Sequence, residues 1–179
     1  DLATATAATF SPLDLVGVRR LLDLTALPDD LLARELRRLR LDPDAPAPSC
    51  EALLHAFLPA RFVDHTHADA VLAVLTSRQA ARLATEIWGR DHLIVPYVKP
   101  GFDLARRVAD LWHAAGSEAA RWVGIVLLHH GLFTFGATAR ESYERMLAGV
   151  ERARRRLPAY GRALSPAKHP SKWSSADIA

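Results

Sequence analysis

The run WVGIVLL, residues 122–128, passes directly into His129-His130-Gly131 and sets the tightest limit on what this chain can become. A short run with no polar member, rich in β-branched and aromatic residues, suits a strand covered on both faces. It is far shorter than the roughly 20 apolar residues a membrane helix needs. Such a strand must be sheltered by helices, and the chain supplies them. HLIVPYV, 92–98, reads as a second buried strand, with Pro96 marking its end or a sheet edge. Between the two runs, Phe102 to Ala115 has the periodicity of an amphipathic helix. ARFVDH, 60–65, reads as a third, short strand.

The remaining helices follow from caps and breakers. Ser11-Pro12 is expected to open a helix with Ser11 as N-cap, burying Leu13, Val16, Leu21 and Leu22. A second is expected from Pro28 to about Leu41, with Asp29 and Asp30 in the first turn, where the helix dipole favours acids. DPDAPAPS, 42–49, carries three prolines and must be a loop. Ser49 is expected to cap a helix over Cys50–Leu58. Further helices are expected over Ala68–Ser77, Gln79–Trp88 and Ala139–Leu157, the last placing Met146, Leu147 and Val150 on its apolar side. GLFTFG, 131–136, lies between the buried strand and the last helix and is assigned no element. Residues 158–179, rich in Pro, Ser and Lys, read as a tail or linker. Strands that alternate with helices imply a layered α/β or α+β fold in one domain; the spacings leave open whether the strands run parallel.

Composition excludes some partners. The 179 residues carry a net charge of +3, with a pI near 9.4. The arginines, however, sit beside acids in helical stretches such as ARELRRLR and ERARRRL, a pattern of solvated helix faces. No aromatic and basic platform accompanies them, so no nucleic-acid partner is expected. With one cysteine there is no intramolecular disulfide, and with no leader-like pattern or membrane-length apolar run the expectation is a cytoplasmic protein that makes no membrane contact.

The chemistry lies in the histidines. In FVDHTHADAV, 62–71, His65 and His67 are two residues apart, so on a strand they leave the same face about 6.5–7 Å apart. Two imidazoles can close on one zinc ion from that distance, if the extended backbone persists to residue 67. His-x-His alone is equally compatible with hydrogen-bonded surface histidines. A catalytic zinc takes three protein ligands and keeps one position open, and His129 or His130, at the end of a buried strand and before a glycine, could supply the third. Only one of that adjacent pair can face inward from a strand. Glu51 lies in a first turn, on the same helix face as His55. It could act as general base beside a metal or merely stabilise the helix end. Cys50 is turned about 100° away and reads as a small packing residue.

Taken in order, PSCEALLHAFLPARFVDHTHADAV (48–71), VPYVKPG (95–101) and VLLHHGLFTFG (126–136) resemble the class II aldolase/adducin family. Each motif is weak alone; the set is specific, and it covers residues 48 to about 150. The resemblance implies a layered α/β/α sandwich with a central, mainly antiparallel sheet, formed by residues 1–157. It implies zinc or another divalent metal on His65, His67 and His130, and an acid/base role for Glu51. The nearest likeness is to members that cleave L-rhamnulose 1-phosphate to dihydroxyacetone phosphate and L-lactaldehyde. It implies a sugar-phosphate substrate and assembly as a homo-oligomer, commonly a tetramer. A sugar-phosphate epimerase and a non-catalytic, adducin-like metal-binding or assembly module are the alternatives within the family. Family members hold the substrate phosphate with Gly-Asn and Ser-Gly loops upstream of the region matched here, and DLATATAATF contains no such loop; the chain is therefore expected to lack part of its family's N-terminus.

Overall fold

A computed structural model describes residues 6–161. Among these residues seven α-helices and four strands follow in the order α1 (Leu15–Arg20), α2 (Asp29–Arg38), α3 (Ala52–Phe57), β1 (Phe62–Thr66), α4 (Asp69–Leu75), α5 (Ala80–Trp88), β2 (His92–Val95), α6 (Phe102–Ala115), β3 (Gly124–Leu127), β4 (Gly131–Gly136) and α7 (Ala139–Gly161). The strands form one sheet ordered β1-β4-β3-β2. The pairs β1/β4 and β4/β3 are antiparallel. β2/β3 is parallel, joined across α6, so the sheet is mixed with antiparallel pairing in the majority.

Alternation along the strands divides the core in two. Leu93, Val95, Ile125, Leu127, Phe133 and Phe135 join Val18, Leu36, Leu53 and Val108 from α1, α2, α3 and α6 in one cluster. Val126 and Leu132 project oppositely into a second cluster with Val71, Leu83, Trp88 and Met146 from α4, α5 and α7. Helices on both faces of a sheet make the α/β/α sandwich. Each such fully buried side chain contributes about 1.5–3 kcal/mol relative to exposure.

Several local expectations need correction. Residues 12–14 do not begin a helix. They run extended against 39–41, where Asp14 N–H donates to Leu39 O at 2.8 Å and Leu41 N–H to Pro12 O at 2.9 Å. The helix starts later and Asp14, not Ser11, caps it, accepting from Val16 N–H at 3.1 Å. That shift turns Val16 outward and buries Val18. Leu147 is likewise half exposed on α7. GLFTFG, to which the sequence alone assigns no element, is β4, paired on both sides and buried throughout. A strand buried on both faces shows no alternation of polarity, and its flanking glycines resemble turn signals. Finally, α7 passes Leu157 and extends to Gly161, the last described residue. The expected tail from 162 onward and the first five residues lie outside the described residues.

Candidate metal centre

Three elements bring four side chains to one point at the edge of the sheet. Glu51 occupies the N-cap position of α3, where Ser49 Oγ accepts its backbone N–H at 3.2 Å. Its own carboxylate makes no cap hydrogen bond, which leaves it free to face the sheet. Ser49 therefore shapes the turn before the helix; the helix itself begins at Ala52, not Cys50. Cys50 is exposed and not a packing residue.

His65 stands on β1 opposite Phe133 of β4, and its ring stacks on that phenyl at 3.9 Å between centroids. His67 lies one residue past the end of β1, yet its Nε2 comes within 2.9 Å of His65 Nε2. His130 ends the turn between β3 and β4 and is buried, while His129 points to solvent. The choice between the adjacent histidines is made by a turn and not by strand alternation. His129 has φ 59°, and the backbone reverses there.

Gly131 has a different role from the turn-permitting one that its position suggests, because its φ is not positive. It permits close approach: a Cβ there would meet Thr66 O at 2.6 Å and His67 Cδ2 at 2.8 Å. The second and third histidines can converge only across a residue with no side chain.

One ligand atom from each of Glu51, His65, His67 and His130 lies within 4.8 Å of all the others. Glu51 Oε1 is 2.6 Å from His130 Nε2 and 3.3 Å from His65 Nε2. His65 Nδ1–H donates to Leu132 O at 3.0 Å, which assigns the proton to Nδ1 and leaves a lone pair on Nε2. Lone-pair nitrogens and a carboxylate oxygen therefore crowd one point with too few protons between them. Three imidazoles and one carboxylate are a suitable donor set for a divalent transition metal. A cation resolves the crowding; without one, a hydrogen bond from His130 Nε2–H to Glu51 partly does so.

The electrostatics agree. The hydrogen bond from His130, and then the adjacent His65 imidazole, hold the Glu51 carboxyl far below the usual carboxylate range, against the opposing effect of burial. His67 is held below the usual imidazole value by desolvation, then by the neighbouring His65 and His130, which favours the neutral ring that a metal requires. His55, on the face of α3 that it shares with Glu51, tilts against Phe133 at 5.3 Å and is not among the four converging residues.

The cluster opens onto a cavity of about 530 Å³ that is also lined by Tyr97 and His129. Tyr97 follows Pro96 just past the end of β2, and its ring meets His129 edge-on at 6.0 Å. Sequence reasoning noted the Pro-Tyr pair only as part of a motif; what brings it to the cluster is the parallel β2/β3 pairing, which spacing alone does not reveal.

Comparison with known proteins gives consistent results. The family model for the class II aldolase and adducin N-terminal domain matches residues 20–157. A Bacillus subtilis protein described as the uncharacterized oxidoreductase YuxG is 37% identical over 153 residues, covering 86% of this chain. The match takes in 22% of that relative, so the chain spans about a fifth of its length. The solved N-terminal class II aldolase domain of a conserved protein from Thermoplasma acidophilum superposes with a TM-score of 0.77 at 32% identity, over 88% of this chain and 70% of that one. An aldolase II superfamily protein from Pseudomonas syringae shares the fold at a TM-score of 0.50 and 17% identity, over 69% of this chain and 52% of that one.

Proposed function

This chain belongs to the class II aldolase and adducin N-terminal domain family, and from that premise we propose that it carries the metal centre of a lyase acting on a ketose 1-phosphate. The reaction proposed is cleavage of L-rhamnulose 1-phosphate between carbons 3 and 4, giving dihydroxyacetone phosphate and L-lactaldehyde. The observation that carries the reading is the convergence of Glu51, His65, His67 and His130 within 4.8 Å of one another beside an open cavity.

In this reading His65, His67 and His130 hold a divalent cation, zinc first among the candidates, through their Nε2 atoms. The cation supplies Lewis acidity toward the charge left on the ketone fragment when the carbon–carbon bond breaks. Glu51 supplies the proton traffic. Its carboxylate is ionised at rest and does no capping work. It takes the proton of the carbon-4 hydroxyl as that oxygen becomes the aldehyde carbonyl, and returns it to carbon 3 of the departing fragment. One bond breaks, one proton changes place, and no other reactant is consumed. The hydrogen bond from His65 Nδ1 to Leu132 O holds the ring that orients this arrangement.

The test is metal content together with cleavage of L-rhamnulose 1-phosphate by the purified, metal-loaded chain. Stoichiometric metal with release of both fragments supports the reading. Inversion at a single carbon with no fragment released would make the protein an epimerase instead. Bound metal with no conversion of sugar phosphates would leave a binding module.

A further inference from the structure

His129 is the one non-glycine residue with positive φ among the described residues, at 59°. An L-residue with a large side chain is strained in that region, and glycine would be relaxed there. The strain is held in place. Leu128 N–H donates to Val95 O at 3.0 Å, His129 N–H to Leu75 O at 3.2 Å and His130 N–H to Leu127 O at 3.1 Å, so each backbone donor of the turn is tied down. A residue kept in an unfavourable conformation by its surroundings, with an exposed side chain beside a reactive cluster, has a use for that side chain. Its ring lies against Tyr97, which is 59% exposed despite its size, and both line the cavity that Glu51, His67 and His130 open onto.

The geometry points to Tyr97 and His129 as the pair that selects the substrate, by hydrogen bonding the 2-hydroxyl of the aldehyde fragment. The inference rests on the aldol reading above. If the ketone fragment sits on the cation, the remainder of the substrate extends away from the four converging residues into the cavity. Outside the converging residues its polar side chains are Ser49, Cys50, Tyr97 and His129; Ser49 Oγ is engaged by Glu51 N–H and a thiol is a weak donor, which leaves the Tyr97 phenol and the His129 imidazole. Neither belongs to the converging set, so removing either leaves the donor atoms for the metal in place. The chemical class selected is a 2-hydroxyaldehyde over an aldehyde without that hydroxyl.

The experiment is the condensation direction, run with dihydroxyacetone phosphate and either L-lactaldehyde or propionaldehyde on wild type, Tyr97→Phe and His129→Gly, with bound metal measured for each. The expected result is full metal occupancy in all three proteins and an unchanged KM for dihydroxyacetone phosphate. In each variant KM for L-lactaldehyde rises about five- to tenfold, the effect of one lost hydrogen bond, and the preference over propionaldehyde falls by the same factor. His129→Gly should also melt at or above the wild-type temperature, because glycine relaxes the turn. Wild-type preference retained in both variants overturns the assignment, as does a parallel loss of metal or of both substrates. No condensation by metal-loaded wild type would sink the aldol reading itself, and this inference with it.

Discussion

His65 Nδ1 lies 3.0 Å from the carbonyl oxygen of Leu132, across the β1/β4 ladder from the residue it belongs to. That bond makes the metal-facing nitrogen a consequence of strand register. A slip of one residue between β1 and β4 would turn His65 into the opposite core layer and remove its orienting acceptor. The site is therefore as stable as the pairing of an edge strand, and Gly131 sits just past the end of that pairing, against Thr66 O.

Gly131→Ala should accordingly damage the site without touching a ligand. The new Cβ would meet backbone at 2.6 Å, and backbone cannot swing aside. Moving β1 away costs roughly 1–3 kcal/mol and separates His65 and His67 from His130. The expected outcome is a lower urea midpoint together with metal affinity weakened at least tenfold, read by competition with a chromophoric chelator. Wild-type affinity in a folded Gly131→Ala protein would contradict the role given to this glycine.

Glu51→Gln separates holding the metal from moving the proton. The amide keeps the shape and the position at the head of α3 but cannot accept the carbon-4 proton. Loss of a general base typically costs a factor of about 10²–10⁴. Cleavage should fall by that amount while the three histidines retain the cation, with metal content near wild type. His67→Ala should show the other pattern, metal and activity lost together. If Glu51→Gln cleaves the sugar phosphate at the wild-type rate, the proton shuttle lies elsewhere.

Much of this was legible in the sequence, for reasons that can be named. The buried runs around Ile125 and Leu93 and the amphipathic α6 between them follow from hydrophobic pattern alone, which large tertiary effects rarely override. The four converging residues came partly from strand spacing, as with His65 and His67, and partly from family likeness, as with Glu51. What stayed hidden depends on partners distant in sequence. β4 carries no polarity alternation of its own and becomes a strand only with β1 and β3 laid on either side of it. The first helix starts at Leu15 because Leu13 pairs with Arg40, a contact no local signal encodes. Likewise, His130 and not His129 faces the cluster because the backbone turns over at residue 129.

Trp88 ties α5 to α7 and offers a test of the second core layer. Its ring is fully buried, and its Nε1–H donates to Gly149 O at 3.1 Å. Trp88→Phe removes that hydrogen bond and leaves a space beside Leu132, a loss of about 2–3 kcal/mol. The layer lies on the face of the sheet opposite Phe133, so metal affinity should change little while the thermal midpoint falls by several degrees, measured by calorimetry.

The ion pair between Asp91 and Arg152 gives stability a pH dependence of definite sign. Arg152 Nη1 and Nη2 each donate to one Asp91 oxygen at 2.7 Å, and His92 Nδ1 lies 2.7 Å from Oδ1. These contacts, the Arg152 bonds foremost, pull the Asp91 carboxyl down to about 2 from an ordinary 3.8. A carboxyl with a depressed folded value binds protons more weakly folded than unfolded. Its contribution is thus complete above pH 3.8 and drains away as pH falls toward 2. Both side chains are about one-third exposed, so solvent screening limits the pair to about 1 kcal/mol. Asp91→Asn should be less stable than wild type by that amount at pH 7 and at pH 5. The gap in urea midpoints should narrow as the pH is lowered from 4 to 3. A gap that stayed constant over that range would mean that Asp91 acts through its hydrogen-bonding shape and not through its charge.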